Sequence, residues 1–309
     1  MEALRTGLPK GEWLDREAAI EPEKEHVEDV RAIKAYRDIG KRNEAEMKDV
    51  LGKLDIRFSE VEDKDRHEVS DVEAMAEQAK AELSGQGPED EGILAEELTL
   101  EMNVAPLTVV GSGPGHYYDF SPYHCWHRCY YHNEGGVTQG HSSCNRASKR
   151  MQTYSRARGD GAGFWDDNYT TCWSKLYFAF WPRQNGHVRA FVPYQTRGWF
   201  YIYANDKWYN SKSAYIDVDV RVQLHQNMWG AYHKDDVFHI SSQNINRQGR
   251  IDRNATMYSG SMAIGAEQWV IAEVALRSRA YADGSGSTST VDFWGTDYVH
   301  VPYVRFDFS

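Results

Sequence analysis

The sequence predicts an α+β organisation: an N-terminal long helix or coiled coil, followed by an all-β antiparallel sandwich of jelly-roll type. Three observations carry this expectation. Residues 1–103 hold 15 Lys and Arg against 29 Asp and Glu, and the rest of the 309-residue chain holds 20 against 17. The net charge of −11 is thus the sum of a −14 segment and a +3 segment. All but Trp13, Tyr36 and Phe58 of the 40 Trp, Tyr and Phe residues follow residue 103. Finally, the apolar pattern changes from helical spacing before that boundary to strict alternation after it.

In order along the chain, residues 1–21 read as a flexible N-terminal segment and 22–103 as an acidic helical or coiled-coil region. Residues 104–309 read as an aromatic-rich β-sandwich domain. No proline falls between Pro22 and Ser84, and Gly40 and Gly52 are tolerable in a long helix. Met47, Leu51, Leu54, Phe58 and Val61 follow the alternating four and three spacing of a heptad seam. Val30 and Ile33 extend it upstream, and Val72, Met75 and Ala79 resume it beyond Asp65 and Glu68. A stripe this narrow on an otherwise charged helix needs a partner, either a second copy or the β domain. The Ser84–Pro88 run of Ser, Gly, Gln, Gly and Pro ends the helical pattern.

In the β part, Ile216, Val218, Val220, Val222 and Leu224 alternate with Asp217, Asp219, Arg221 and Gln223, which predicts a strand with one buried and one wet face. Val304, Phe306 and Phe308 repeat the device at the C-terminus. Further strands are expected near 176–181, 187–192, 199–204, 237–241, 269–277 and 298–301. Arg146–Arg158, with five cations, reads as a solvated loop, and 283–290 as a flexible turn.

The acidic balance makes a nucleic-acid partner an unexpected one, and no window has the apolar run of a membrane helix. Met1–Glu23 lacks the pattern of a secretory signal, and the sequence does not specify a compartment. Sequence signatures of serine hydrolases, zinc proteases and nucleotide-binding loops are also missing.

Cys125, Cys129, His132, His141 and Cys144 cluster within twenty residues, and Cys172 follows. Thiolates and imidazoles are the donors zinc prefers, so a zinc site is one reading. No other cofactor is indicated. Two disulfides are another reading and free thiols a third. The aromatic load is the remaining anomaly. Trp199, Tyr201 and Tyr203, with Trp208 and Tyr209 just beyond, place rings on both faces of adjoining strands, and only one of those faces can belong to the core. Either a second layer covers the other, or it is a binding or subunit surface.

These features favour a non-enzymatic structural or binding protein that self-assembles as a homo-oligomer and contacts glycans or protein partners through its β head. Two alternatives stand beside it. One is a metal-dependent enzyme using the Cys/His cluster at 124–144 with Asp166 or Asp167, and the other is a monomeric lectin-like domain.

Overall fold

The computed structural model describes residues 8, 11–54, 71, 74–83, 110–159, 167–205, 212–284 and 286–309. Helix α1 spans Gly11–Lys53, and a shorter helix, α2, covers residues 74–83. Among the described residues, seventeen strands follow in two sheets.

The six-stranded sheet contains β1 (Val110–Gly111), β3 (His124–His132), β6 (Asn168–Pro182), β9 (Ser213–His225), β10 (Trp229–Ser242) and β14 (Val270–Asp283). Its order is β1-β6-β14-β9-β10, with β3 also paired to β6. The second sheet has eleven strands. Those early in the chain are β2 (Gly115–Asp119), β4 (Val137–Asn145), β5 (Arg150–Arg158), β7 (Gly186–Arg197) and β8 (Trp199–Asn205). The later ones are β11 (Asn244–Arg250), β12 (Arg253–Tyr258), β13 (Met262–Ile264), β15 (Thr288–Asp292), β16 (Tyr298–His300) and β17 (Val304–Phe308). Apart from the parallel β1–β6 contact, the pairings described are antiparallel.

The two sheets share one apolar core. Leu176, Phe178 and Phe180 of β6, Val218, Val220 and Val222 of β9, and Val274 and Leu276 of β14 face Val188, Val192, Ile202, Val291 and Phe306 from the other sheet. The expected strands at 215–224 and 304–308 are present with the expected faces inward. The antiparallel sandwich is therefore realised.

Several boundaries differ from expectation. Arg150–Arg158 is strand β5 rather than a loop, with Met151, Thr153, Ser155 and Ala157 buried on alternate positions. Its inner face uses small polar residues, which conceal the strand from a hydrophobicity reading. Thr288–Asp292 is a fully buried strand, not a flexible turn. Helix α1 begins at Gly11, before Pro22, and carries that proline in its interior. Docking of the helix onto the sheet offsets the weak local propensity there.

The coiled coil is not what the structure displays. Leu14 and Ala18 of α1 are buried against Trp126, Tyr130, Trp173, Tyr177, Ile271 and Ala275 on the outer face of the six-stranded sheet. The helix thus finds its apolar partner within its own chain. Farther along the seam, Leu51 is buried while Val50 and Leu54 are exposed. Ala79 is buried and Met75 half-buried in α2, where both pack on the second sheet. The side chain of Met47 and residues 58, 61 and 72 lie outside the described set.

Candidate functional site

The outer face of the six-stranded sheet was expected to be wet at β9. Instead Asp219 is fully buried and Arg221 only 5% exposed, because α1 lies across them. Odd-numbered residues of β6, β14 and β9 share this face: Trp173, Lys175 and Tyr177; Glu273, Arg277 and Arg279; Asp217, Asp219, Arg221 and Gln223. Period-two alternation puts them on one side, and the register aligns Arg277 with Asp219 across strands.

Acidic residues of α1 at near-helical spacing meet this floor. Arg221 donates to Glu21 at 2.8 Å, to Glu25 at 2.7 Å and to Asp219 of its own strand at 2.6 Å. Arg277 donates to Glu25 at 2.8 Å and to Asp219 at 2.8 Å, and also pairs with Asp217. Arg279 pairs with Asp29 at 2.9 Å, and Tyr169 donates to the same carboxylate at 2.7 Å. The guanidinium of Arg221 stands 4.5 Å from the ring centre of Trp173.

The electrostatics follow from this packing. Burial opposes the charge on Arg221, but Asp219 and Glu25 outweigh it and hold its pKa above the ordinary value. Burial likewise pushes Glu25 up, and Arg221 and Arg277 pull it below the usual carboxylate range. Glu21 goes the other way: burial raises it, against the pull of Arg221 and Lys175. Deeper in the floor, Lys175 bonds Glu273 at 2.9 Å and Tyr177 donates to the other oxygen of Glu273 at 2.7 Å. Burial and then Glu273 push the Tyr177 hydroxyl well above its ordinary pKa.

Between α1 and the edge strand β10, this layer leaves a groove of about 730 Å³. Glu17, Ile20 and Glu21 of the helix form one wall, while Trp229, Tyr232 and Lys234 of β10 form the other. Lys175, Arg221, Gln223 and Glu273 lie at the floor. Trp229 is held by a bond from its indole N–H to Glu17 at 3.2 Å and by His225, whose ring centre is 4.8 Å away. Tyr232 is 46% exposed, and burial raises its pKa to about 12. The space is concave, with aromatic groups on the β10 wall and convergent polar groups at the floor, and it is more strongly charged than most small-ligand sites.

The residues singled out from sequence fall elsewhere. Trp199 and Tyr201 of β8 are buried beneath Ala76, Ala79 and Leu83 of α2, with Tyr203 half-buried beside them. Gln248 and Arg250 fasten the helix there through Glu82 and the Leu83 carbonyl. Trp208 and Tyr209 lie outside the described residues. In this arrangement the β8 rings serve as a seat for the chain's own helix.

The zinc reading is overturned, since all four cysteines form disulfides, Cys125–Cys144 and Cys129–Cys172. The register of β3 on β6 places Cys129 directly opposite Cys172, and the other bridge ties β3 to β4 of the second sheet. His132 pairs with Glu134, and His141 packs between Tyr154 and Trp294, so neither imidazole approaches a thiolate set. The metal-dependent enzyme built on that cluster loses its ligands. Asp166 lies outside the described residues, and Asp167 is buried and bonded to Tyr281. Asp217, Asp219 and Asp236 come together, but the first two are engaged by Arg277 and the third by Lys234.

Sequence reasoning missed Trp229, Tyr232 and Arg221 as site residues. Trp229 stood among nine tryptophans in the β part with nothing local to distinguish it, and Arg221 read as a surface charge. Only the spacing of Glu17, Glu21, Glu25 and Asp29 along one helix face hints that an acidic ridge meets a basic floor.

No family model matches this chain, and no curated protein matches its sequence. Among solved structures, faint likenesses occur to TmCBM61 in complex with β-1,4-galactotriose, at 8% identity and a TM-score of 0.20, over 57% of this chain and 88% of that one. Arthrobacter globiformis T6 isomalto-dextranase complexed with panose gives 8% and 0.17, over 62% of this chain and 34% of that one. The enzymatically active domain of bacteriophage CBA120 tailspike protein 4 gives 7% and 0.15, over 57% and 19%. Likenesses of this size carry no functional argument. Among the described residues no helix is long and apolar enough to cross a membrane.

Proposed function

We propose that this chain is a non-enzymatic glycan-binding protein that holds a short saccharide in the groove between α1 and β10. The observation that carries the reading is the juxtaposition of Trp229 and Tyr232 with Lys175, Arg221, Gln223 and Glu273 around one 730 Å³ space. Aromatic side chains supply apolar contact area with polar tips, which suits the C–H faces of a sugar, and the floor groups suit its hydroxyls. Binding is favoured over turnover because the carboxylates are engaged: Glu21 and Glu25 with arginine, Glu273 with Lys175 and Tyr177. On this reading α1 is a wall of the site. The two disulfides suit an oxidising compartment, where extracellular glycans are met.

A glycan panel probed with the full chain tests this, with titration calorimetry on any oligosaccharide retained. Binding weakened about tenfold or more in Tyr232→Ala and Trp229→Ala supports the assignment. An empty panel, or equal affinity in both variants, rejects it. We infer further that copies of the chain self-assemble, a reading that rests on the exposed Val50 and Leu54 near the end of α1. A monomeric mass by light scattering removes it without touching the groove.

A further inference from the structure

Helices α1 and α2 cover two patches of the outer sheet faces, and neither covers a third. On the eleven-stranded sheet, where β2, β17, β7 and β12 lie side by side, five rings form a continuous strip. Tyr258 packs on Phe191 with ring centres 5.0 Å apart, and Phe191 approaches Tyr303 at 6.5 Å. Tyr303 contacts both Phe120, at 5.5 Å, and Tyr118, at 5.4 Å. Tyr118 and Tyr258 remain 41% and 40% exposed.

Cations lie over this strip. The Arg189 guanidinium is 4.4 Å from the Tyr258 ring centre, that of Arg305 is 4.1 Å from Phe191, and the Lys149 ammonium is 5.7 Å from Phe120. Next to Lys149, Arg150 covers Tyr298 at 3.9 Å. Against these four cations the same surface carries Asp307, which already receives Arg305 at 2.7 Å and His116 at 2.7 Å, with Arg189 at 3.8 Å. The positive field is felt nearby: burial first, and then Lys149 and Arg150, depress the His300 pKa to about 4. A ring whose face is occupied by a guanidinium does not stack on a base or a neutral sugar. It holds the guanidinium flat, with its N–H edges turned to an incoming acid.

We propose that this strip is a second ligand site, for an acidic glycan carrying carboxylate or sulfate groups. Charge complementarity selects an anion, and the flat geometry of the arginines suits carboxylate and sulfate oxygens. Of the common polyanions, the disulfides favour a glycan, since the oxidising places where they persist hold acidic polysaccharide rather than nucleic acid. The site lies on the opposite sheet from the groove and stands or falls separately from it.

The test is retention of the full chain on immobilised heparin and on polygalacturonate, eluted with salt, with dextran and a single-stranded oligonucleotide as comparators. The wild type is expected to be retained on at least one acidic glycan and not on dextran. Arg189→Gln and Tyr258→Ala should each weaken binding about three- to tenfold, with Arg189→Lys partly restored. Near-ultraviolet circular dichroism checks that each variant is folded. Failure of retention on both acidic glycans, retention of Arg189→Gln equal to wild type, or tighter binding to the oligonucleotide would overturn the proposal.

Discussion

Arg221 of β9 and Glu25 of α1 meet at 2.7 Å across the seam between helix and sheet, although nearly two hundred residues separate them in the chain. Arg221 is almost fully buried and Glu25 about three-quarters so. The pair is one of several ties that hold α1 on the sheet, beside the buried Leu14 and Ala18 and the Asp29–Arg279 pair, and α1 forms one wall of the groove.

Glu25→Gln should loosen α1, lowering stability by about 1–3 kcal/mol at neutral pH, because Arg221 and Arg277 lose a charged acceptor together. The sign follows from a folded pKa below the unfolded one: the contribution is present above the ordinary carboxylate value and is lost as pH falls through the depressed one. Glu21 is raised, so its ionised form is disfavoured, and Glu21→Gln should cost less or be neutral. Urea denaturation and limited proteolysis at α1 distinguish the two variants.

Lys175 and Glu273 form a buried pair on the groove floor. Lys175→Met leaves a buried carboxylate with Tyr177 as its remaining side-chain donor and should cost about 3–5 kcal/mol. The double variant Lys175→Met, Glu273→Leu should recover most of that loss. A double variant no more stable than Lys175→Met would show that the pair contributes more than mutual neutralisation.

A buried carboxyl and a half-buried imidazole on the second sheet oppose each other over one pH window. Burial raises Asp292 from 3.8 to about 6, so its contribution is present below the unfolded pKa and lost as pH rises to about 6. Burial and its cationic neighbours lower His300 from 6.5 to about 4, so its contribution is present above 6.5 and lost as pH falls to about 4. The wild type should therefore show a flat stability profile between these limits as far as these groups govern it. Asp292→Asn should gain about 1–3 kcal/mol at neutral pH and acquire a steeper loss on acidification. His300→Gln should instead gain stability as pH falls from 6 to 4. Thermal melts across pH 4 to 7 resolve the three slopes.

The bridges close sequence separations of 19 and 43 residues. On a chain-entropy basis each stabilises by about 3–4 kcal/mol, the longer loop slightly more. Replacing Cys129 and Cys172 with Ala should lower the melting temperature at least as much as replacing Cys125 and Cys144. Equal melting of reduced and oxidised protein would show that sheet pairing alone holds β3 in place.

Much of the architecture was legible locally. The alternation at 216–224 and 304–308 specifies strands and their inner faces, because side-chain period and backbone pleat are the same property. An acidic helix was legible from its composition, but its start was not: α1 begins at Gly11, within the segment read as flexible, and runs through Pro22. Strand β5 was not, because an inner face of Thr, Ser and Ala carries little hydrophobic contrast. The helix partner was not either. A narrow apolar stripe states that something covers it, and the identity of the cover depends on long-range packing.

By itself, then, the sequence determined an acidic helical segment followed by an aromatic antiparallel sandwich. Tertiary structure decided what each spare surface does. It laid Glu21, Glu25 and Asp29 on Arg221, Arg277 and Arg279, seated α2 over Trp199 and Tyr201, and paired the cysteines. It also left Trp229, Tyr232 and the Tyr118–Tyr258 strip accessible. The physical reason is that these contacts join residues from 19 positions apart, in one disulfide, to 252 apart, in the Glu25–Arg277 pair, and sheet register and helix docking, neither of them encoded in a local window, bring them together.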